Sequence, residues 1–330
     1  MELINQTPFA AERLVTGDGD GRELLVVLAK ATYELGSGQP VLAERADVLR
    51  LGDEYRGEPG KTSLRFAAEA AWFKPAAEVI VVGSARTRAL ERSEAIVSLR
   101  VGRVQKAVRV LGDRTRGQSG LTVSQPEPFA EMPLVYERAY GGSDPSTEPP
   151  AAWPENPVGI GFRSRGSLLP LAGTALPNLE DLSEPGSART VCFGPLAPSW
   201  WPRAGYAGTY GADWQRERMP LLPADFDPRF HQTAPADQIL PGYLEGGEPL
   251  SLTMVRPDGG GYSFALPAFA PVAVLRFGGE RSVLPLRCDS IILDTDAERL
   301  WLVARAAVSV HGRLGELAWI KVEEQRRGDA

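Results

Sequence analysis

The sequence contains few of the side chains that most often bind metals or form catalytic nucleophile–base pairs. Its 330 residues include two histidines and two cysteines, and Cys192 and Cys288 are far apart. A zinc site needs several such ligands at short, regular spacings. A Ser-His-Asp or Cys-His arrangement would have to use His231 or His311, and there is no G-x-S-x-G motif. We therefore expect no metal ion, no cofactor and no catalytic residues of these types.

Long apolar runs, basic runs and phosphate-binding glycine motifs are also absent. The longest purely apolar stretches, such as residues 24–29, are far shorter than the ~20 residues of a membrane-spanning helix. The first residues lack the apolar segment and cleavage site of a signal peptide. The net charge is −6 and the basic residues are scattered and form no long runs, which is not typical of nucleic-acid binding. These features predict a soluble cytoplasmic protein without nucleic-acid partners or membrane insertion.

Glycine and proline are abundant, with 35 and 28 residues respectively. This many helix breakers argues against a mostly helical fold. Apolar, β-branched and aromatic residues instead predict strands over residues 23–33 and 78–85. Residues 95–112 alternate in polarity around Gly102 and Arg103, which is typical of a β-hairpin.

The C-terminal part of the chain repeats the hairpin pattern three times. Each repeat has two apolar stretches around a short turn rich in glycine or aspartate. The paired stretches are residues 249–256 with 262–266, 272–277 with 282–286, and 290–293 with 299–303. Three consecutive hairpins predict an antiparallel meander. Short helices are expected near residues 43–49 and 63–71.

Residues 114–245, which we call the middle zone, combine many prolines with many aromatic residues. Proline fixes its own φ and has no N–H donor, so long regular elements cannot form there. The aromatic side chains bury about 150–250 Å² each and therefore favour a packed segment over a disordered one. The middle zone is predicted to form long ordered loops over a β core, and loops of this length are usually functional.

Together these patterns predict a mainly β fold, with an antiparallel β-sandwich or barrel-like core, long ordered loops rich in proline, glycine and aromatic residues, and few short helices. We expect at least twice as many strand as helix residues, in one β-rich domain over residues 1–322. Its N-terminal strands lie in residues 1–113, the middle zone follows, and a C-terminal β-meander occupies residues 246–322. The sheets should combine strands from both ends of the chain. The charged tail, residues 323–330, is expected to fray.

Acidic residues of the middle zone allow an enzymatic interpretation. Two carboxylates about 5–9 Å apart among aromatic rings are typical of glycoside hydrolases. The candidates are Glu131, Glu137, Glu180, Asp225 and Asp227. The other interpretation is structural: Asp225 and Asp227 cap turns, and Glu137 pairs with a nearby arginine. A hydrolase with paired carboxylates is therefore an alternative to a non-enzymatic binding protein.

A series of short motifs, in order along the chain, is shared with one bacterial protein family. The motifs are NQTPF at 5–9, VLAKATY at 27–33, the 72–85 stretch with KP and EVIVVGSA, VLGDR at 110–114, MPLVYERAYGG at 132–142, NPVGIGF at 156–162, LPNLE at 176–180, FGPLAPSW at 193–200, GTY at 208–210, LPADFDPRF at 222–230 with APADQ at 234–238, and LDTDAERLWLVARA at 293–306. In these motifs the chain resembles domain-of-unknown-function family 2169.

The resemblance implies a component encoded in type VI secretion loci. Such a protein acts as an adaptor or chaperone that binds a toxic effector, commonly through a PAAR-containing segment, and helps to load it onto the secretion spike. The resemblance implies no enzymatic activity and provides no binding residues. The chain departs from the family pattern at Thr115 and Arg116, where an aromatic residue is more usual. It also has no fused repeat or effector domain, which favours a stand-alone adaptor. A structural part of the spike is a third interpretation.

A binding protein of this kind needs aromatic and arginine side chains on ordered loops, because these residues dominate protein interfaces. The middle zone offers seven candidates by residue type and position: Tyr136, Arg138, Tyr140, Trp200, Arg203, Tyr210 and Trp214. We expect more than half of them to be packing residues. The others are predicted to contact the effector or its PAAR-containing segment.

Overall fold

A computed structural model describes residues 2–88, 92–310 and 312–325. The strands within these residues are β1 (Glu2–Asn5), β2 (Ala10–Gly17), β3 (Glu23–Glu34), β4 (Val41–Leu42), β5 (Glu54–Tyr55), β6 (Leu64–Phe66), β7 (Glu78–Val82), β8 (Ser84–Arg86), β9 (Glu94–Val101), β10 (Val104–Leu111), β11 (Glu131–Pro133), β12 (Tyr140–Gly141), β13 (Ser143–Asp144), β14 (Ala151–Ala152), β15 (Ile160–Gly161), β16 (Leu179–Asp181), β17 (Pro249–Leu252), β18 (Tyr262–Ala265), β19 (Pro271–Phe277), β20 (Glu280–Pro285), β21 (Arg287–Asp294), β22 (Arg299–Ser309) and β23 (Leu317–Glu324). The helices are α1 (Ala212–Glu217) and the 3-10 helices Tyr136–Arg138, Arg203–Tyr206, Pro228–His231, Ala236–Gln238 and Arg313–Glu316. Strand residues exceed helix residues by far more than twofold, which confirms the mainly β class.

Most strands belong to three large sheets. The six-stranded sheet has the order β2-β3-β22-β21-β7, with β4 paired to β3; the five-stranded sheet has the order β16-β10-β9-β17-β18; and the four-stranded sheet has the order β1-β23-β19-β20. Most neighbouring strands are antiparallel, but β1 with β23 and β7 with β21 are parallel. All three sheets are open, with an edge strand at each end.

Strands from both ends of the chain are neighbours in every large sheet. β3 pairs with β22, β9 with β17, and β1 with β23. β3 is buried on both faces from Leu24 to Tyr33, and it is apolar there except for Lys30 and Thr32. A strand without a polar face needs cover on both sides and a partner on each edge. The prediction that the sheets combine N-terminal and C-terminal strands is confirmed.

The apolar core is continuous between the three sheets. In the β9–β10 hairpin, Val97, Leu99 and Val101 are buried, whereas Ile96 on the opposite face is 42% exposed. One connected cluster of buried side chains includes these residues together with residues of β3, β7, β19, β21, β22 and β23. The sheets therefore share a core in a sandwich-like arrangement.

The predicted C-terminal hairpins form, but they do not form a meander. The turns join β17 to β18, β19 to β20, and β21 to β22. Each hairpin belongs to a different large sheet. The meander prediction is therefore wrong. A local sequence pattern specifies the turn of each hairpin, but packing with distant segments decides which strand lies next to that hairpin in a sheet.

The strand predicted over residues 78–85 is divided at Gly83. β7 ends before this residue, and β8 leaves the sheet to pair with β11. Gly83 has a φ of +140°, and a Cβ at this position would lie 2.0 Å from the hydroxyl oxygen of Thr295. Only glycine satisfies both the backbone conformation and the close approach.

The helix predicted over residues 43–49 is wrong. The N–H of Ala43 donates to the Thr32 carbonyl (2.9 Å), and the N–H of Asp47 donates to the Thr32 hydroxyl (2.9 Å). Because the backbone donors of this segment bind β3, they are not free for helical hydrogen bonds.

The helix predicted over residues 63–71 is also wrong. Its first half contains β6, in which Leu64 and Phe66 are buried. Beyond this strand the buried Glu69 carboxylate accepts a hydrogen bond from the ammonium group of Lys30 (2.8 Å). These contacts with distant residues override the local helical propensity.

The tail prediction is wrong for Glu323 and Glu324, because both residues belong to β23 and pair with β19. Residues 326–330 lie outside the described residues. The extent of a single domain over residues 1–322 stays a prediction. In the part of the chain that the structure describes, no helix is long and apolar enough to cross a bilayer.

Candidate functional site

A buried ion pair attaches the middle zone to the six-stranded sheet. Glu78, the first residue of β7, accepts hydrogen bonds from the backbone N–H groups of Thr233 (2.6 Å) and Ala234 (3.0 Å) and from the ammonium group of Lys74. Burial raises the pKa of the Glu78 carboxyl, but the charge of Lys74 and the three hydrogen bonds outweigh burial and lower this pKa overall. The carboxylate is therefore ionised and fixes residues 233–234 against β7.

Gln238 provides a second attachment of the middle zone. Its fully buried side-chain amide donates to the carbonyl groups of Val79 (2.6 Å) and Phe193 (2.9 Å). One side chain thus joins three parts of the chain that are distant in sequence. The loops of the middle zone are held by side-chain hydrogen bonds where proline prevents regular backbone pairing.

An aromatic pair forms the interior of the middle zone. The rings of Tyr136 and Trp200 are in edge-to-face contact with centroids 5.1 Å apart, and the Tyr136 hydroxyl donates to the Gly194 carbonyl (3.1 Å). Both rings are buried. The loops therefore pack around large rings, as the aromatic content predicts.

Beside this interior lies an open groove with a volume of 370 Å³. Its walls come from β12, from the segment around β15 and from residues 174–180, with Arg116 and Ser187 at its borders. We call this feature the groove. Every wall belongs to the middle zone.

Glycine and asparagine allow the walls of the groove to approach each other closely. β12 and β15 pair in parallel. The fully buried side chain of Asn156 donates to the carbonyl groups of Tyr136 (2.8 Å) and Tyr140 (3.1 Å). A Cβ on Gly141, which has a φ of +151°, would lie 2.2 Å from the Asn156 carbonyl oxygen. A larger residue would push the walls apart.

Asp144 fixes the loop that follows β12. Its carboxylate accepts hydrogen bonds from the Ser146 hydroxyl (2.5 Å) and N–H (3.0 Å) and from the Ser164 hydroxyl (2.9 Å) and N–H (3.1 Å). These donors, with the Ser146 hydroxyl first among them, hold the pKa of Asp144 well below its usual range. An ionised acceptor thus holds the loop in one conformation.

Aromatic rings support one side of the groove. The ring of Trp153 contacts the rings of Tyr140 (centroids 5.2 Å apart) and Phe162 (5.6 Å). The indole N–H of Trp153 donates to the Thr190 hydroxyl (3.0 Å). Tyr140 and Phe162 line the groove, whereas Trp153 does not. Trp153 therefore supports both rings on the side away from the groove.

The charged residues of the groove are two arginines and one glutamate. Glu180 accepts a hydrogen bond from Arg114 (2.7 Å) and lies 3.7 Å from Arg109. Arg116 and Arg163 donate only to backbone carbonyl groups of the described residues. The glutamate is therefore neutralised, whereas the two arginines are not.

Three of the seven predicted contact residues are in the interior. Tyr136 and Trp200 are buried as described above, and Arg203 is 8% exposed. The Arg203 guanidinium donates to the carbonyl groups of Leu196 (2.7 Å) and Phe230 (2.9 Å). In the folded protein these three side chains are packing residues and not surface contacts; more than half of the seven were expected to be packing residues, and three are buried.

The other four predicted contact residues are accessible but are not in one place. Tyr140 lines the groove. Arg138 forms an ion pair with Asp113 (2.9 Å). Tyr210, which is 53% exposed, and Trp214 are in edge-to-face contact with centroids 4.8 Å apart, and neither lines the groove. The structure therefore brings one of the seven residues into the groove.

The model of domain-of-unknown-function family 2169 (DUF2169), described as an uncharacterized protein conserved in bacteria, matches residues 20–305. The chain belongs to this family. The resemblance found in the sequence is thus confirmed, and the match covers the Glu78 attachment and every wall of the groove. No curated protein and no solved structure matches the chain.

In this DUF2169 protein, Asp225 and Asp227 have structural roles. Asp227 caps the 3-10 helix Pro228–His231 by accepting a hydrogen bond from the Arg229 N–H (2.9 Å). Asp225 instead bridges two loops, because it accepts hydrogen bonds from the Thr209 N–H (2.9 Å) and hydroxyl (2.8 Å). The Thr209 donors lower the pKa of Asp225, and the Arg229 guanidinium, which also donates to Asp227, lowers the pKa of that carboxyl. A lowered pKa does not suit a general acid.

The glutamates of the middle zone are engaged as well. The sequence predicts an arginine partner for Glu137, but no arginine of the described residues pairs with it. Glu137 instead accepts hydrogen bonds from the N–H (2.7 Å) and hydroxyl (2.8 Å) of Ser63. Glu131 pairs with Arg86 (2.9 Å), and Glu180 is neutralised as described. No observation on these residues favours the paired carboxylates of a hydrolase.

The metal-binding residue types of the DUF2169 chain are dispersed. Among residues 2–88, 92–310 and 312–325, no three His, Cys, Asp and Glu side chains are close enough to hold a metal ion. His311 lies outside the described residues. Cys192 and Cys288 are buried free thiols, and burial raises the pKa of both.

His231 is held in its neutral form by its surroundings. Its ring contacts that of Trp72 (centroids 5.7 Å apart), and its Nε2 atom is buried without a hydrogen-bond partner. Burial, followed by the charges of Arg305, Lys74 and Arg203, lowers its pKa from 6.5 to about 4. A proton on this ring is therefore unfavourable in the folded state.

We expect the stability of the protein to fall as the pH decreases from about 6.5 to about 4. In this window the unfolded chain binds a proton at His231 and the folded chain does not, so protonation favours unfolding by about 2–3 kcal/mol at pH 4. Urea denaturation across this range measures the effect. The His231→Phe variant should lose this part of the pH dependence, and an unchanged pH dependence in the variant would contradict the prediction.

A second and larger cavity, of 590 Å³, is lined by residues of β3, β20 and β22 and by the half-exposed Phe73. Its buried cations already have partners. Lys74 pairs with Glu78, and Arg305 pairs with Asp289. Its exposed Arg287 lies over the Tyr243 ring without an anionic partner among the described residues, but Asp18, Asp20 and Asp289 line the same cavity. In the groove the two arginines have no such aspartates beside them in the lining.

Sequence reasoning missed Arg163 and the exposed leucines next to the groove. Leu121 is 86% exposed and Leu168 is 82% exposed. A signal was present, because both leucines stand among glycine and serine residues, outside any segment with a strand or helix face to bury them. Leucine is neither aromatic nor charged, and it is under-represented among the residues that dominate protein interfaces.

Proposed function

We propose that this protein is an adaptor or chaperone of a type VI secretion system. It binds a toxic effector through a PAAR-containing segment and assists the loading of that effector onto the spike. The observation that carries the proposal is an open groove on firmly held loops, bordered by exposed apolar side chains. Membership of the DUF2169 family supports it, because the role is the one that the sequence resemblance implies.

The surface next to the groove is unusually apolar. Leu121 and Leu168 are almost fully exposed, and Leu171 is 39% exposed. Leu171 packs against Gly120, so that it lies beside Leu121 in the folded chain. Single exposed leucines are common on protein surfaces, but neighbouring ones beside a concave site are typical of an interface.

The loops that carry this surface have a rigid support. Asp144 accepts hydrogen bonds from Ser146 and Ser164, and the Ser146 hydroxyl accepts one from the Leu168 N–H (3.0 Å), so the loop that carries Leu168 is fixed, as recognition loops require. The acidic residues that would suit a hydrolase are used as structural acceptors. The effector is synthesised in the producing cell, and we propose that the adaptor works there, in the cytoplasm.

The test is co-purification of the tagged full-length protein with the products of neighbouring genes. We expect a complex with an effector or a PAAR-containing protein. The Leu168→Asp variant should weaken this complex by at least about 2 kcal/mol, roughly thirtyfold in Kd, because a charge at an apolar contact must be desolvated. Its melting temperature should stay nearly unchanged, since the side chain is exposed.

The matched control is Val48→Asp. Val48 is also 80% exposed and lies outside the middle zone, so this variant should bind as the wild type does. Absence of any partner from the locus would show that the adaptor proposal is wrong. A complex that remains on the secreted spike would identify a structural component instead. Equal binding by both variants would place the interface elsewhere on the protein.

A further inference from the structure

The groove presents positive charge that no described residue neutralises. Arg116 makes one long hydrogen bond, to the Gly120 carbonyl (3.4 Å). Arg163 donates to the carbonyl groups of Leu169 and Pro170 (3.1 Å to the latter). A guanidinium group has five N–H donors. Both arginines therefore keep donors free for a ligand in the groove.

The lining is positive although the protein is acidic. Its glutamate, Glu180, is compensated by Arg114 and Arg109. The ionised Asp144 is buried and does not line the groove, so Arg116 and Arg163 carry the uncompensated charge of the lining. The whole chain has a net charge of −6. A concave site of the opposite sign attracts anionic groups and repels cationic ones.

Two residues that line the groove, Tyr140 and Ser187, have hydroxyl groups without a hydrogen-bond partner among the described residues. The Tyr140 hydroxyl makes no hydrogen bond to the described residues, and burial raises its pKa, so that it remains a proton donor. The Ser187 hydroxyl oxygen is buried without a partner. Buried polar atoms are normally hydrogen-bonded. A ligand carboxylate is an acceptor that these donors and the arginines fit.

The apolar surface extends beyond the charged part of the groove. Leu169 lines the groove itself, and the exposed Leu168 and Leu171 are its near neighbours in the chain. A small anion would fill the site near the arginines and leave these leucines in water. A peptide with an apolar side chain next to its acidic one would cover them, with an expected gain of about 25 cal/mol per Å² of apolar surface buried.

We infer that the groove binds an extended acidic segment of a partner protein. A carboxylate of this segment lies between Arg116 and Arg163, and a neighbouring apolar side chain covers Leu168 and Leu171. That the segment belongs to the effector or its PAAR-containing protein rests on the proposed function. The chemistry of the segment rests on the groove alone.

Binding of short labelled peptides to the full-length protein tests this chemistry directly. The first peptide alternates leucine and aspartate, the second has asparagine for aspartate, and the third has serine for leucine. We expect the first to bind at least about tenfold more tightly than either of the others, with affinity that falls as salt is added. Equal affinities for the first two peptides, or no binding of any, would overturn the inference.

The Arg116→Gln variant should lose the preference for aspartate over asparagine. Its matched control is Arg165→Gln, because Arg165 is exposed on the same loop as Arg163 but does not line the groove. Arg163→Gln is a second test, with its melting temperature measured because Arg163 also holds two carbonyl groups. An Arg116→Gln protein that keeps the full preference, like the control, would show that the groove is not the site.

The same variants, assayed with the partner from the locus, separate the two proposals. If the acidic peptide binds in the groove and no product of the locus binds the protein, the groove inference stands and the adaptor function is wrong. If the partner binds the wild type and Arg116→Gln equally and the peptides show no preference, the adaptor function stands and the groove inference is wrong. Loss of partner binding in Arg116→Gln but not in Arg165→Gln supports both.

Discussion

Replacing Glu78 with alanine is expected to lower the free energy of unfolding by about 3–5 kcal/mol, because the substitution leaves a buried charge without its partner. The Lys74 ammonium is 4% exposed and would lose its carboxylate. The N–H groups of Thr233 and Ala234 would lose their acceptor at the same time. Each unsatisfied buried donor adds to the cost. Chemical denaturation with the linear extrapolation method measures the change.

A surface ion pair that also contains a glutamate is the control for this prediction. Glu131 pairs with Arg86 at 2.9 Å, but the glutamate side chain is 48% exposed. Its replacement by alanine should cost less than about 1 kcal/mol, because solvent screens exposed pairs. If Glu78→Ala costs no more than Glu131→Ala, the proposed attachment of the middle zone is wrong. The double variant Lys74→Met/Glu78→Ala should recover part of the loss, since it removes the uncompensated charge.

Trp200→Ala is expected to destabilise the protein by about 3–5 kcal/mol, the usual cost of removing a fully buried large ring. Trp200 is 3% exposed and loses its contact with Tyr136 in this variant. Thermal and chemical denaturation would show the change. Any loss of partner binding in Trp200→Ala should accompany this loss of stability, because the ring does not reach the surface.

The neighbouring tryptophan gives a matched comparison. Trp201 is 54% exposed, so Trp201→Ala should cost about 1 kcal/mol or less. The two variants remove the same side chain from adjacent positions and differ mainly in burial. A Trp200→Ala protein that is as stable as the Trp201→Ala protein would contradict the packing role assigned to Trp200.

The local parts of this fold could be predicted from the sequence, and the long-range parts could not. The β9–β10 hairpin follows from alternation around Gly102 and Arg103, and the structure pairs Val101 with Val104 across that turn. The three C-terminal hairpins also follow from their turns. Their distribution among three sheets does not, because each hairpin joins its sheet through a strand from elsewhere in the chain: β17 pairs with β9, β19 with β23, and the β21–β22 hairpin with β7 and β3.

The contacts of the site also depend on residues that are distant in the sequence, so they could not be predicted from local patterns. Glu78 reads as the polar start of a strand in the sequence, and its partner Thr233 is 155 positions away. Trp200 and Trp201 are adjacent and identical in type, yet one is in the interior and the other is on the surface. The aromatic and arginine residues of the middle zone predict that it is packed and that it binds another protein. Which side of each loop faces the solvent is decided by contacts that only the folded chain contains.

The pairing of β3 with β22 has a consequence for how the protein is made. In that ladder Leu28 is the partner of Arg305, so β3 leaves the ribosome long before its second neighbour exists. At about 5–20 residues per second, the interval is on the order of 15–50 s. The β2–β3 hairpin can close early, but the opposite edge of an apolar strand then stays open throughout synthesis, and open edges of this kind recruit other strands. A protein proposed to assist the loading of an effector therefore needs protection itself until its last strands have been translated.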